Sequence, residues 1–218
     1  MDFAKARFNM VEQQIRPWDV LGFDVLDALM EIPRERFVGD KLQGVAYSDT
    51  ELPLPNGAKM LEPKVVARLA QGLKLTKQDK VLEVGTGSGY ATALLAQLAG
   101  EVVTCDVDAV QQNRAKAVLD GLDYRNVFYA QNDGLNSLSE GEPFDAIYVG
   151  GAVGDIPEIL KKQLKDGGRM VIIVGGKPVQ HARLLIRKGD SFEETVLFDT
   201  QVARLDDKGG SPFGDFAF

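Results

Sequence analysis

Apolar side chains in the first sixty residues recur at helical spacing. Over residues 3–16, Phe3, Ala6, Met10, Val11, Gln14 and Ile15 mark one region of a helix. Arg16-Pro17 should close that segment, because the position before proline disfavours α geometry. Val25, Leu26, Leu29 and Met30 define a second helix over 23–31. Residues 47–63 then carry Pro, Asn and Gly without periodicity, which reads as a loop able to face a substrate. From Pro63 the pattern becomes an alternation. Helices are expected over 64–73, 90–100 (ended by Gly100), 109–119 and 156–164 (opened by Pro157). Between them, short apolar runs predict strands over 81–85, 102–107, 127–130, 144–150 and 169–175. Residues 182–189 and 194–200 follow with no helix between them, so they should pair as an antiparallel hairpin.

Strand–helix alternation argues for an α/β fold with a mostly parallel sheet covered on both faces, a C-terminal antiparallel hairpin and an N-terminal helical extension. One domain is expected, with 1–62 as the extension, 63–206 as the core and 207–218 as a Gly- and Phe-rich tail, loosely ordered or docked elsewhere. At 218 residues and 44% hydrophobic, the chain can bury a full-size core. Its formal charge of −7 disfavours a nucleic-acid partner, whose backbone repels it. No apolar run approaches the roughly 20 residues of a membrane span. The N-terminus lacks the basic start and apolar block of a signal peptide, so the cytoplasm is the expected compartment. One cysteine and one histidine leave no material for a disulfide framework or a Cys/His metal site, and no metal is expected.

The chemistry is concentrated in Glu83-Val84-Gly85-Thr86-Gly87-Ser88-Gly89-Tyr90, which leaves a strand and opens a helix. Glycines there permit a tight turn and a close approach of ligand to backbone, and the helix start offers free N–H groups. Alone, such a turn can be simply a βα connection. Asp106 and Val107 end the next strand, where a carboxylate can accept from both ribose hydroxyls of a nucleoside. Asp133-Gly134 follows the third strand, where a carboxylate can accept from an adenine amino group, or can cap a turn. All three positions fall at the carboxyl ends of adjacent strands, where open α/β sheets bind ligands. A dinucleotide enzyme shares this layout, but its fingerprint is G-x-G-x-x-G, whereas this chain has G-x-G-x-G. Glu83, two residues before the first glycine, suits a cofactor bearing an ammonium group, which favours S-adenosylmethionine.

With these motifs in place, the chain resembles the protein-L-isoaspartate O-methyltransferase family. The similarity runs from about Phe8 to Asp206, through residues 10–16, 25–38, 46–57, 81–96 and 143–175. It implies a Rossmann-like methyltransferase fold, S-adenosylmethionine as cofactor, and methylation of the carboxylate of an isoaspartyl protein or peptide. It also implies cofactor contacts along Glu83, Gly85, Thr86, Gly87, Ser88, Gly89, Asp106, Val107, Asp133 and Gly134. The implied acceptor pocket lies between residues 58–63, with Met60 and Leu61, and the loop Gly150-Gly151-Ala152-Val153. The family usually carries a hydroxyl before the X-Pro of that first segment, and this chain has Leu61. That leaves open a methyltransferase with another acceptor, or a cofactor-binding protein without isoaspartyl activity.

Several other residues have competing readings. Lys59 and Glu62 flank Leu61 and could steer an acceptor or remain solvated. Tyr47 and Asp49 could close over the site or form a turn, and Tyr90 could touch the cofactor or only open its helix. Arg16 and Trp18 are expected to be structural, Cys105 a small core residue, and His181 exposed in a turn before the hairpin.

Overall fold

The computed structural model describes residues 1–205. The expected tail, 207–218, lies outside the described residues. Helix α1 (Phe3–Asn9) widens into a π-helical turn over Met10–Ile15 and tightens into a 3₁₀ turn over Arg16–Trp18. The stop expected at Arg16 therefore falls later, at Asp19, which is left-handed with φ 68°. Arg16 itself stays helical, because Met10, Val11 and Ile15 behind it are fully buried and that packing outweighs the pre-proline bias. Helix α2 (Phe23–Glu31) buries Val25, Leu26 and Leu29, as its periodicity indicates, while Ala28 is buried as well and Met30 only partly.

The stretch read as a plain loop contains a small hairpin, β1 (Leu52–Pro53) against β2 (Lys59–Met60). Strands of two residues are too short to show alternation. The alternating region comprises α3 (Pro63–Leu73), β3 (Lys80–Val84), α4 (Tyr90–Leu98), β4 (Glu101–Asp106), α5 (Ala109–Gly121) and β5 (Val127–Gln131). It continues through β6 (Phe144–Val153), α6 (Glu158–Lys162), β7 (Leu164–Gly176), β8 (Val179–Lys188) and β9 (Ser191–Thr200).

The sheet order is β5-β4-β3-β6-β7-β8-β9. The first five of these strands run parallel, and β8 and β9 form the expected antiparallel hairpin. Three local expectations change. Helix α6 is short because Leu164 already pairs with Phe144 in the sheet. His181 lies within β8 rather than in a turn. Gly100 is no left-handed cap; a Cβ there would stand 2.3 Å from the Lys77 carbonyl oxygen, so the position needs glycine for close packing.

Strand residues alternate between the two layers. Along β6, Ala146 and Tyr148 join one buried cluster with Met10, Leu29, Leu69 and Leu94, while Ile147 and Val149 join another with Leu82, Ile172 and Leu160. The N-terminal helices are thus packed on the α3–α4 side. From β3 the chain winds to β4 and β5 on one side, and β6 pairs on the other. The crevice at the carboxyl ends of β3 and its neighbours is the usual ligand position in open α/β sheets.

Candidate active site

The turn after β3 is held by left-handed glycines, Gly85 (φ 92°), Gly87 (φ 51°) and Gly89 (φ 85°). A side chain at these angles is strained. The amides of Gly85 and Thr86 donate to the Cys105 carbonyl at 2.9 and 3.3 Å. The amide of Gly87 donates to Asp106 Oδ2 at 3.0 Å, and Asp106 Oδ1 accepts from the amide of Asp108 at 2.9 Å. Asp106 thus fixes the turn and still presents carboxylate lone pairs to the crevice.

That crevice is a cleft of about 700 Å³. Gly85, Gly87, Asp106, Val107, Asp133 and Gly134 all line it, as do Leu61 and Gly150. Asp133 also caps its own turn, with Oδ1 accepting from the amide of Leu135 and Oδ2 from Asn136 Nδ2. The turn-cap reading of Asp133 therefore holds, and the residue also lines the cleft. A Cβ at Gly134 would stand 2.5 Å from Cys105 Sγ, so only glycine lets the chain pass there. Asn56 in the β1–β2 loop donates to Asp108 Oδ2 at 2.9 Å, and Leu54 and Asn56 both border the cleft.

Several expected contacts lie elsewhere. Glu83 does not reach the cleft. It sits in register with Thr104 and Tyr148, wholly buried beneath the turn on the α4 side. Its Oε2 accepts from Thr92 and Thr104, each at 2.6 Å. Burial pushes the Glu83 carboxyl up to about 8, against the lowering effect of those two hydroxyls. Gly89 faces α5, where a Cβ would stand 3.1 Å from that of Ala115; it serves helix packing. Thr86 is buried, its hydroxyl 2.7 Å from that of Thr104, and Ser88 Oγ accepts from the amide of Tyr90. Gly151 is covered, because a Cβ there would stand 2.8 Å from Leu205 Cγ. The amide of Ala152 donates to the Ala203 carbonyl and that of Leu205 to the Ala152 carbonyl, so residues 203–205 lie along β6. Val153 belongs to the core. Of the expected loop 150–153, Gly150 borders the cleft.

Behind the turn is a second cavity of about 40 Å³, lined by Met60, Leu61, Thr86, Ser88, Tyr90 and Tyr148 among others. Leu61 and Gly150 border both spaces, so Leu61 stands between the cleft and the cavity. The segment holding Leu61 is tied from beneath. Arg34, wholly buried, donates from Nη2 to the Leu61 carbonyl at 2.9 Å and from Nε to the Ala46 carbonyl at 2.8 Å. Its guanidinium lies 4.4 Å from the centre of the Tyr90 ring.

The flanking charges pair locally: Lys59 with Glu51 at 2.8 Å, and Lys64 with Asp49 at 2.7 Å and Glu62 at 3.2 Å. Tyr47 donates to Glu35, so neither Tyr47 nor Asp49 closes the cleft. Arg16 pairs with Glu12 one helical turn away, and Trp18 meets Phe198 edge-on. His181 Nδ1 lies 2.7 Å from Asp199 at the exposed hairpin. Cys105 borders the cleft, but burial pushes its thiol up to about 12, which keeps it protonated.

Arg34, Tyr148, Asn132 and residues 203–205 escape the sequence reading. The first two carry no local motif, and the last reach the site only through long-range pairing. Asn132 stands beside Asp133 in the motif and is the one signal the sequence offers.

The family described as protein-L-isoaspartate(D-aspartate) O-methyltransferase matches residues 7–206. Similar proteins named protein-L-isoaspartate O-methyltransferase include one from Syntrophus aciditrophicus, 42% identical over 88% of this chain and 88% of its own. Another, from Koribacter versatilis, is 38% identical over 96% of this chain and 95% of its own. A solved protein-L-isoaspartate O-methyltransferase superposes with a TM-score of 0.80 at 25% identity, over 91% of this chain and 65% of that one. A Plasmodium falciparum structure, described as a putative member in complex with S-adenosyl-L-homocysteine, shares the fold with a TM-score of 0.76 at 19% identity, over 94% of this chain and 98% of that one.

Proposed function

The chain belongs to the protein-L-isoaspartate O-methyltransferase family, and from that premise we propose that it transfers a methyl group from S-adenosylmethionine to the α-carboxylate of an isoaspartyl residue in a protein or peptide. The observation that carries this reading is the cleft at the carboxyl ends of β3, β4 and β5, with a left-handed glycine turn and two aspartates on its rim. Its volume falls within the roughly 300–1,000 Å³ of small-molecule sites. The donor set suits a nucleoside: Asp106 for ribose hydroxyls, Asp133 and Asn132 for the base. Asn132 Oδ1 is buried with no partner among the described residues. The residues fit the cofactor.

When bound, S-adenosylmethionine supplies an electrophilic methyl group on a cationic sulfur. The chain's own work is to orient and to exclude water. Asp106 and the Gly85–Gly87 turn fix the nucleoside end, while Leu61 and Gly150 border both the donor cleft and the smaller cavity. An acceptor carboxylate ordinarily titrates near about pH 4, so it is already ionised at neutral pH and needs no general base. Alignment of donor and acceptor can supply up to about 7–11 kcal/mol of the barrier. Met60, Leu61 and Val66 make one side of the cavity apolar, which strengthens the attraction between carboxylate and sulfonium-bearing donor.

Among the described residues no helix is long and apolar enough to cross a membrane. The reading includes a cytoplasmic location and acceptors that are protein or peptide rather than nucleic acid, in keeping with the acidic charge. Family membership does not favour a dinucleotide enzyme or a silent cofactor-binding module. Incubation with S-adenosylmethionine and an isoaspartyl peptide, followed by mass spectrometry, should show one methyl group added at the α-carboxylate. Tight donor binding with an unmodified peptide would move the acceptor elsewhere.

A further inference from the structure

An acceptor carboxylate entering the cavity behind the turn leaves water and loses its hydration. Such a group requires donors from the wall, since a buried unpaired carboxylate is costly. The polar side chains around that cavity are mostly spent. Thr86 faces Thr104 and accepts from Gln112, Lys59 pairs with Glu51, and Ser88 holds the amide of Tyr90. Tyr90, whose hydroxyl is also buried without a hydrogen-bond partner among the described residues, packs its ring under the Arg34 guanidinium. Met60 and Leu61 are apolar. Tyr148 is the second such hydroxyl, and among the described residues no cation packs on its ring. It is wholly buried, lines the cavity, and its hydroxyl has no hydrogen-bond partner among the described residues. Native interiors seldom leave such a group unpaired without a use for it.

We propose that Tyr148 is a catalytic residue of the acceptor site, its Oη donating a hydrogen bond to the carboxylate that receives the methyl group. This rests on the function proposed above and names the group that would recognise its acceptor. No proton is transferred: Oη keeps its hydrogen throughout, while one carboxylate oxygen is held and the other is left to react. Burial, with the Glu83 carboxyl nearby, raises the Tyr148 hydroxyl above its ordinary value, so it remains a donor at every working pH. Position 61 borders the same cavity, so a hydroxyl introduced there could take over part of the role.

The test is steady-state methylation of an isoaspartyl peptide by the wild type, Tyr148→Phe, and Tyr148→Phe combined with Leu61→Ser. Donor affinity is measured by calorimetry and stability by thermal melting. Tyr148→Phe should lower kcat/KM for the peptide about 10- to 100-fold, the worth of a hydrogen bond to a charged group. Donor affinity should not change. The melting temperature should hold or rise, because the lost hydroxyl has no partner in the fold. Leu61→Ser in that background should restore several-fold activity. A fully active Tyr148→Phe would overturn the proposal and leave the methyltransferase reading standing. A loss of activity accompanied by lower stability or weaker donor binding would also overturn it, in favour of a structural role. A wild type that binds donor but leaves the peptide untouched would remove the acceptor reading itself, and this proposal with it.

Discussion

Arg34 Nη2 donates to the Leu61 carbonyl at 2.9 Å, and so joins the turn after α2 to the wall between the cleft and the smaller cavity. The arginine is wholly buried and also holds the Ala46 carbonyl. Arg34→Met would keep much of the side-chain volume and strand both carbonyls. The expected cost is on the order of 2–4 kcal/mol in urea denaturation, from buried acceptors left unpaired. In protein that remains folded, KM for the acceptor should rise while donor affinity holds. An unchanged stability would show that the two carbonyls find other donors.

Asp106 serves the turn and the cleft together. Asp106→Ala removes the acceptor for the amides of Gly87 and Asp108 and the carboxylate offered to a ribose. Donor affinity by calorimetry should fall by about 1–3 kcal/mol, roughly 5- to 150-fold. An unaltered Kd would remove Asp106 from the cofactor site.

Glu83 should give stability a marked pH dependence. Its carboxyl is pushed from an ordinary 4.5 up to about 8 by burial. The folded state therefore holds the proton more tightly than the unfolded state. Its contribution is fully present below about pH 4.5 and is lost as pH rises through 8, with a limiting slope of about 1.4 kcal/mol per pH unit. Glu83→Gln, which stays neutral and can still accept from Thr92 and Thr104, should flatten the stability profile between pH 5 and 8. Denaturation midpoints across that range, wild type against variant, measure the difference. Parallel profiles would mean that Glu83 is ionised in the folded protein.

The fit between Gly134 and Cys105 is tight enough to show coupling. Gly134→Ala would place a Cβ 2.5 Å from Cys105 Sγ and 3.1 Å from both Val84 methyl groups. Overpacking of this kind costs about 1–3 kcal/mol. Cys105→Ala clears the sulfur, so the double variant should recover more than half of that loss. Additive effects of the two substitutions would contradict the contact.

The sequence made the strand-end chemistry legible and left the facing of side chains obscure. Asp106 and Asp133 were readable because an acid at the carboxyl end of a strand reaches the crevice whatever the register. Glu83 was not, because its face depends on pairing with Thr104 and Tyr148 across two neighbouring strands. The glycines of one motif look alike in sequence, yet Gly85 and Gly87 border the cleft while Gly89 packs on Ala115. Leu205 covers Gly151 through contacts between residues more than fifty positions apart, beyond the reach of local periodicity. The hairpin Leu52–Pro53 with Lys59–Met60 was lost for the opposite reason, being too short to have a period. The mostly parallel sheet and the closing hairpin were legible because each long element carried its own pattern.

The most direct test of the account is transfer of labelled methyl from S-adenosylmethionine to an isoaspartyl peptide, with its normal aspartyl twin as control. Label should appear on the isoaspartyl peptide alone, showing that the cleft holds the donor and that Leu61 admits this acceptor. Label on neither peptide, or equally on both, would contradict it.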